Sequence, residues 1–319
     1  MSTNILIVLR GFDENQLYMS QLKSAVGDHV EIIRFNHHPS WETERSIFRN
    51  LLHYLKTTTI IAWRGRAKRV IFFDTNLARI FFPIAWLTKK SFFVFTEIPI
   101  YEKSSFLKIY DKLIFFLDKN VYVSSFERSL YFKDLFNLEI NPPVVPNVTA
   151  AADNIIDIRA KSCGMIYVGS ISRTRFDKLT LCKLARIDIS LKFLGKVSPD
   201  LHGCRFIEER HLGFLEYEEM LSSLEHYRYG LLAYPTNDVN NDLCAPLKIC
   251  DYLASGLVVV SVNRNRGLCE FFSKYPKLFV CLDEFHMYAF DALEYDRQRR
   301  LFFRKANQDI KRFVNRVIN

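Results

Sequence analysis

The residues best equipped for chemistry gather in the second half of this chain. The run Gly164-Met-Ile-Tyr-Val-Gly169-Ser-Ile-Ser-Arg173-Thr-Arg175 reads as a buried strand that ends on a glycine, with two guanidiniums ahead of a helix. Glycine admits close approach of a ligand, a helix N-terminus favours anions, and arginine grips a diphosphate through paired hydrogen bonds. Further on, Pro246-Leu-Lys248-Ile-Cys-Asp251-Tyr-Leu-Ala-Ser-Gly256 puts Lys248 in the first turn of a helix, where the helix dipole reinforces an anion site. Asp251 lies three positions on, along the same face, a spacing that also suits an ordinary surface ion pair. The amides of Leu243, Cys244 and Ala245, just ahead of that helix, are candidate donors to phosphate oxygens.

In the first half the candidates are carboxylates at strand ends, where a parallel sheet places its ligands. They are Asp74 in Ile71-Phe-Phe-Asp74-Thr-Asn76 and Glu97 in Phe95-Thr-Glu97-Ile-Pro99. Asp74 before Thr and Asn reads equally as a helix cap. His37 and His38 follow the second strand and read as loop residues or minor acceptor contacts. The turn after the first strand, Arg10-Gly11-Phe12, holds no GxGxxG, which disfavours a nicotinamide or flavin enzyme, although Gly11 joins the donor-binding set. P-loop, HExxH and GxSxG motifs are absent, and no DxD-type acidic cluster points to a metal.

These residues must be positioned by something large and layered. The 319 residues are 49% hydrophobic and 25% charged, enough for a core of more than one domain and too apolar for a tail or linker. Short apolar runs alternate with longer amphipathic ones, the pattern of parallel sheets covered by helices. Strands are expected at Ile5–Leu9, Val30–Arg34, Val70–Phe73, Ser91–Phe95 and Lys119–Val123, then at Gly164–Val168, Ser190–Leu194, Arg205–Glu208, Tyr229–Ala233, Leu257–Val262 and Leu278–Cys281. Asn141-Pro-Pro-Val-Val-Pro-Asn147 interrupts the alternation with backbone that neither helix nor central strand can use. The expected division is a Rossmann-like, doubly wound α/β domain over 1–147, a second over 148–288, and a closing helix over 289–319 that crosses back to the first.

The net charge of +9 is spread over both halves, which suits phosphate-bearing ligands or an anionic membrane face. No nucleic-acid motif or concentrated basic stripe accompanies it, so nucleic acid is not an expected partner. The seven cysteines form no CxxC pair and read as core residues of a reducing cytosol. The sequence opens without a leader-like segment, and its longest apolar stretch is broken by Asp74 and Arg79, so a cytoplasmic protein without a spanning helix is expected. The basic, tryptophan-containing run Trp63–Arg69 and the aromatic helices near 76–88 and 104–117 suit either a buried helix with a solvated turn or a face that meets anionic lipid. The closing helix, rich in arginine and lysine, reads as a solvated basic face or as a contact with anionic lipid.

The order of motifs from 163 to 262 resembles the donor-binding half of GT-B glycosyltransferases, close to glycosyltransferase family 4. It has a Y-x-G turn after the first strand, the helix beginning Gly213-Phe-Leu-Glu-Tyr217-Glu, and the P-x-K-x-x-[ED]-Y-x-A-x-G run at Pro246–Gly256. Val123-Ser-Ser-Phe-Glu127 and Val145-Pro-Asn147 resemble the end of the first lobe. The resemblance implies two Rossmann-like lobes facing a cleft and a metal-independent hexosyl transfer, with retention favoured. The donor would be a nucleotide-diphosphate sugar of UDP or GDP type, with no other cofactor. It implies that Asp251 holds the ribose, that Arg173 or Arg175 holds phosphate with Lys248, and that Glu97 or Asp74 serves as base or acceptor contact. The expected acceptor is a carbohydrate, lipid-linked in some cases, in bacterial surface polysaccharide assembly at the inner membrane face. Two departures stand out: Asp replaces the usual Glu at 251, and Leu243 stands where many members carry a second Glu. A nucleotide-sugar 2-epimerase of the same fold and a non-catalytic basic binding subunit are the rivals.

Overall fold

The chain divides into two units, Met1–Ala150 with Ala306–Asn319 and Ala151–Lys305. The structure, a computed structural model, describes residues 4–9, 17–34, 44–98, 101, 104–118, 120–146, 148, 161–237, 239–244 and 246–319. Gly11, His37, His38, Ala245 and Asn147 lie outside the described residues.

The first unit is built on β1 (Ile5–Leu9), β2 (Val30–Arg34), β3 (Arg69–Phe73), β4 (Lys90–Phe95) and β5 (Val121–Val123). All pair in parallel in the order β2-β1-β3-β4-β5. β1 is apolar at every position because both of its faces are covered, as the middle of a parallel sheet demands. Helices α1 (Leu17–Val26), α2 (Glu44–Arg64), α3 (Thr75–Phe81) and α4 (Ser105–Leu117) make the crossovers, and α5 (Phe126–Phe136) follows β5. The single helix expected over 76–88 ends early. Pro83 lacks an amide, and the chain continues as a 3₁₀ turn over Phe82–Leu87.

The second unit holds β6 (Ser162–Val168), β7 (Leu191–Leu194), β8 (Tyr227–Leu232), β9 (Val258–Ser261) and β10 (Phe279–Cys281), parallel in the order β10-β9-β8-β6-β7. Counted from each unit's first strand, both sheets share one order, 2-1-3-4-5. Each therefore reverses direction beside its first strand, and the ligand crevice of such a sheet opens there, at the strand C-termini. Its helices are α6 (Lys178–Ala185), α7 (Arg205–Glu208), α8 (Tyr217–Leu224), α9 (Val239–Asp242), α10 (Leu247–Ala254), α11 (Arg266–Phe272) and α12 (Ala292–Ile318).

The strand expected at Arg205–Glu208 is instead the one-turn helix α7. Its run satisfies its backbone locally, with the Glu208 amide donating to the Cys204 carbonyl at 3.0 Å. The next residues pair with β7 in its place: the Phe193 amide donates to Arg210 at 3.0 Å and the Leu212 amide to Phe193 at 2.8 Å.

α12 contributes residues 292–305 to the second unit and 306–318 to the first. In the second unit the buried Tyr295 hydroxyl donates to the Leu257 carbonyl at 2.7 Å. In the first unit Phe313 meets Phe92 and Tyr122 edge-on, and the Arg69 guanidinium donates to the carbonyls of Val317, Ile318 and Asn319, completing the helix C-terminus. Many arginines of α12 pair with carboxylates of the same helix, Arg297 with Glu294, Arg300 with Asp296 and Arg312 with Asp309. Among the described residues no helix is long and apolar enough to cross a membrane.

Candidate functional site

The crevice of the second sheet opens where β6 and β8 part. Their ladder ends at Tyr167 opposite Leu231, which leaves backbone groups on both strands in need of partners. Tyr252 of α10 supplies one hydroxyl for both: it accepts from the Val168 amide at 3.0 Å and donates to the Leu231 carbonyl at 3.1 Å. The ring lies so close over β8 that a side chain at Gly230 would overlap it. Tyr252 is fully buried, so the hydroxyl acts as a peg that fixes α10 against the strand ends. The far end of α10 is closed by amides of Gly256 and Leu257 that return to Leu253 and Tyr252, with Gly256 at positive φ, a Schellman turn.

Pegged in this way, α10 aims Lys248 at the end of β6. The ammonium lies 3.3 Å from the Tyr167 hydroxyl and 4.5 Å from the Tyr167 ring centre, with the Tyr234 ring 5.7 Å away. Gly169 leaves β6 at φ 122°, where a side chain is strained, and a Cβ there would run into the Lys248 ammonium. Arg175 comes from the loop after β6, with its guanidinium 4.5 Å from the centre of the Tyr234 ring on the face of that ring. One of its terminal nitrogens, Nη1, is buried with no hydrogen-bond partner. Among the described residues neither Lys248 nor Arg175 is in an ion pair.

Burial, and after it the charge of Arg175, pull the Lys248 ammonium down from the usual lysine range to about 7, with Asp251 opposing weakly. Two like charges that share the Tyr234 ring, and that among the described residues form no ion pair, make a site that an anion would complete. Pro246, the N-cap of α10, offers no side-chain acceptor to the first turn, so the positive helix end is not neutralised by its own cap. Asp251 is buried one turn along α10 and accepts from the Tyr217 hydroxyl of α8 at 2.9 Å.

The structure separates the two arginines that the sequence left equivalent. Arg173 is exposed and tied down elsewhere, its amide donating to the Asp200 carboxylate at 3.0 Å and its Nε to the Asp200 carbonyl at 3.2 Å. The N-terminus of α6 is no anion site, because the Asp177 carboxylate already caps it through the Thr180 amide at 2.7 Å. Leu243 and Cys244 do not offer free amides: they donate to Val239 at 2.9 Å and Asn241 at 3.3 Å inside the α9 turn. Asp242 turns to α11, accepting from the Arg266 amide at 2.8 Å.

Among solved structures the chain is similar to the trehalose-6-phosphate protein from E. coli bound with UDP-2-fluoro glucose (10% identity over 99% of both chains, TM-score 0.65). It is similar to Alr3699/HepE of Anabaena in complex with UDP and glucose (11% identity over 99% of this chain and 98% of that one, TM-score 0.59). A third is the UDP-GlcNAc 2-epimerase of Methanocaldococcus jannaschii (10% identity, 93% and 91% covered, TM-score 0.52). The chain has the GT-B fold. No protein-family profile matches the sequence, and no curated protein matches it.

In the first unit of this GT-B chain, Asp74 and Glu97 follow the adjacent strands β3 and β4. Thr75 ties their loops together, its hydroxyl donating to the Glu97 carbonyl at 3.2 Å and accepting from the Glu97 amide at 3.0 Å. The Glu97 side chain is exposed. Asp74 caps α3, accepting from the amides of Asn76 at 2.7 Å and Leu77 at 3.2 Å, which gives its carboxylate a structural task. It does so at φ 125° and ψ 140°, a conformation nearly restricted to glycine and worth about 1–3 kcal/mol of strain. Tyr167, Tyr217, Tyr234 and Tyr252 are the site residues that sequence reasoning left without a role. The signal for Tyr167 was a hydroxyl inside an otherwise aliphatic buried strand, which must find a polar partner.

Proposed function

We propose that this protein is a glycosyltransferase that moves a hexosyl group from a nucleotide-diphosphate sugar to a carbohydrate acceptor. The observation that carries the reading is the pair of desolvated cations, Lys248 and Arg175, set on the tyrosine walls of the β6/β8 crevice and in no ion pair among the described residues. In this reading the two cations and the positive end of α10 hold the diphosphate, and Asp251, steadied by Tyr217, accepts from the ribose hydroxyls. Cleavage of the sugar–phosphate bond builds negative charge on the departing diphosphate, and these fixed charges and dipoles meet that charge where it develops, without a metal. Glu97 is the proposed base or acceptor contact, with Asp74 second. Retention of configuration and a role in surface polysaccharide assembly, with a lipid-linked acceptor, complete the proposal.

Support comes from the motif order at 163–262 and from two neighbours of like fold whose structures contain UDP or a UDP-sugar. The test is a thermal-shift and calorimetric screen of UDP, GDP, CMP and dTDP against wild type, Lys248→Ala and Asp251→Ala. A nucleotide that stabilises wild type and neither variant supports the site and identifies the base. No stabilisation by any of them at millimolar concentration sinks it. Because a 2-epimerase shares the fold, product analysis of the matching nucleotide sugar without acceptor separates the two: an epimerase interconverts sugars, and a transferase does not.

A further inference from the structure

Helix α4 is apolar on both sides. Its inner side is fully engaged: Phe115 packs among Phe95, Phe132 and Phe136, and Ile114 is completely buried. Asp111, the one carboxylate of α4, is buried there too, bound by Arg79 at 2.7 and 2.6 Å and by the Tyr101 hydroxyl at 2.6 Å. Its outer side carries Phe106, Ile109, Leu113, Phe116 and Leu117, which fall within an arc of about 100° on a helix of 3.6 residues per turn. Phe106, Ile109, Phe116 and Leu117 are between 66% and 72% exposed. Lys108 and Lys112, both exposed, flank this arc, and no acidic residue of α4 shares the outer side.

The same edge of the sheet holds two tryptophans. The crossovers from β2 to β5 all advance in one direction, so α2, α3 and α4 cover one face, and each runs back to the N-terminal edge of the strands. Contacts follow that layering, with Tyr54 of α2 stacked on Phe81 of α3, and Phe82 edge-on to Tyr110 of α4. Trp63 lies in the last turn of α2 and Trp86 in the 3₁₀ turn after α3; they are 75% and 79% exposed. Their segments are joined through the Lys89 amide, which donates to the Gly65 carbonyl at 2.9 Å. Exposed Arg66 and Lys89 stand beside them.

Apolar side chains in the middle, tryptophans at one end and lysines along the flank match a surface that lies in the headgroup layer of a bilayer. A second copy of the same face would bring Lys108 and Lys112 against their own kind, whereas anionic lipid neutralises them. The arginines of α12 are less suited, since many are already paired along their own helix. We infer that the outer face of α4, with Trp63 and Trp86, seats the first unit in the plane of an anionic lipid surface. The inference needs nothing from the nucleotide site; where both hold, the acceptor is presented at the membrane.

The test is co-sedimentation of the full chain with vesicles of phosphatidylglycerol and phosphatidylethanolamine, against vesicles of phosphatidylcholine. The wild type sediments with the anionic vesicles, poorly with the neutral ones, and is released by high salt. Lys108→Gln with Lys112→Gln weakens partitioning about 25-fold, at roughly fivefold for each basic residue near an anionic surface. Phe116→Ser with Leu117→Ser weakens it about tenfold or more, while Arg304→Gln stays within about twofold. Unchanged circular dichroism shows that the variants are folded. The inference is overturned if the wild type ignores anionic vesicles, if it binds neutral ones as well, or if the variants bind like wild type. It is also overturned if sedimentation velocity shows a dimer that Phe116→Ser with Leu117→Ser dissociates. A nucleotide thermal shift on the same variants keeps the two readings apart, because these substitutions leave Lys248 and Asp251 untouched.

Discussion

Nucleotide binding to this protein should take up a proton. Lys248 is held near 7 by burial and by Arg175, and a diphosphate placed against it restores the charge that burial removes. If the ligand binds only the protonated site, its dissociation constant rises about tenfold per pH unit above 7, until the raised value in the complex is reached. Between pH 7.5 and 9.5 the loss is about 80-fold, or roughly 2.6 kcal/mol, and at pH 8 about 0.9 proton is taken up per nucleotide. That window lies above the second ionisation of a terminal phosphate, near 6, so the ligand's own charge is constant there.

Isothermal calorimetry at several pH values, repeated in two buffers of different ionisation enthalpy, reads both quantities. Lys248→Arg is the control, because a guanidinium stays charged throughout and flattens the profile. A flat wild-type profile, or the same slope in Lys248→Arg, would refute the reasoning: the ammonium would then be either fully solvated or away from the diphosphate. The sign for the unliganded protein follows from the same value. Its folded pKa lies below that of the unfolded chain, so the unfolded state binds more protons between about 7 and 10.4, and the Lys248 contribution to stability rises with pH there. Lys161, lowered to about 8 by burial, adds a like trend, so the quantity to follow is the difference between wild type and Lys248→Met.

The two arginines should part company: Arg175→Ala weakens nucleotide binding about 10- to 100-fold, as loss of a charged hydrogen-bonding group does, while Arg173→Ala stays within about twofold in the same titration. Tyr252→Phe leaves the Val168 amide and the Leu231 carbonyl without their shared partner, and urea denaturation should show a loss of about 1–3 kcal/mol. A loss below about 0.5 kcal/mol would mean that the strands close on each other instead. Tyr217→Phe removes one hydrogen bond to Asp251 and should weaken binding of a ribonucleotide about three- to tenfold while leaving inorganic pyrophosphate unaffected, which competition titrations can compare.

Much of the framework was legible because a strand covered on both faces has to be apolar throughout. Ile5–Leu9 and Val30–Arg34 are found with the expected ends, and other strands differ by a residue or two. Reading failed where a short apolar run lay beside a strand edge. Phe206 and Ile207 suggested a strand, but the local bonds of α7 win over four residues, and the edge pairs with the residues after it. In the candidate site, the places of Gly169 at a strand end and of Lys248 and Asp251 along one helix were visible through spacing and residue type. The choice of Arg175 over Arg173 was not, because it turns on Asp200, distant in sequence, and on the face of Tyr234. The amides of Leu243 and Cys244 were misjudged for a similar reason: a one-turn helix at Val239–Asp242 carries too few residues to leave a periodic trace.

The last turns of α12 also set an order of events during synthesis. Phe92 and Tyr122 are covered by Phe313, and Arg69 is bonded to carbonyls up to 250 positions later in the chain. The second unit can close its sheet once β10 has left the ribosome, whereas the first keeps part of its core uncovered until α12 is complete. The half that is made first is finished last, and its exposed aromatic residues are where a chaperone would be expected to wait.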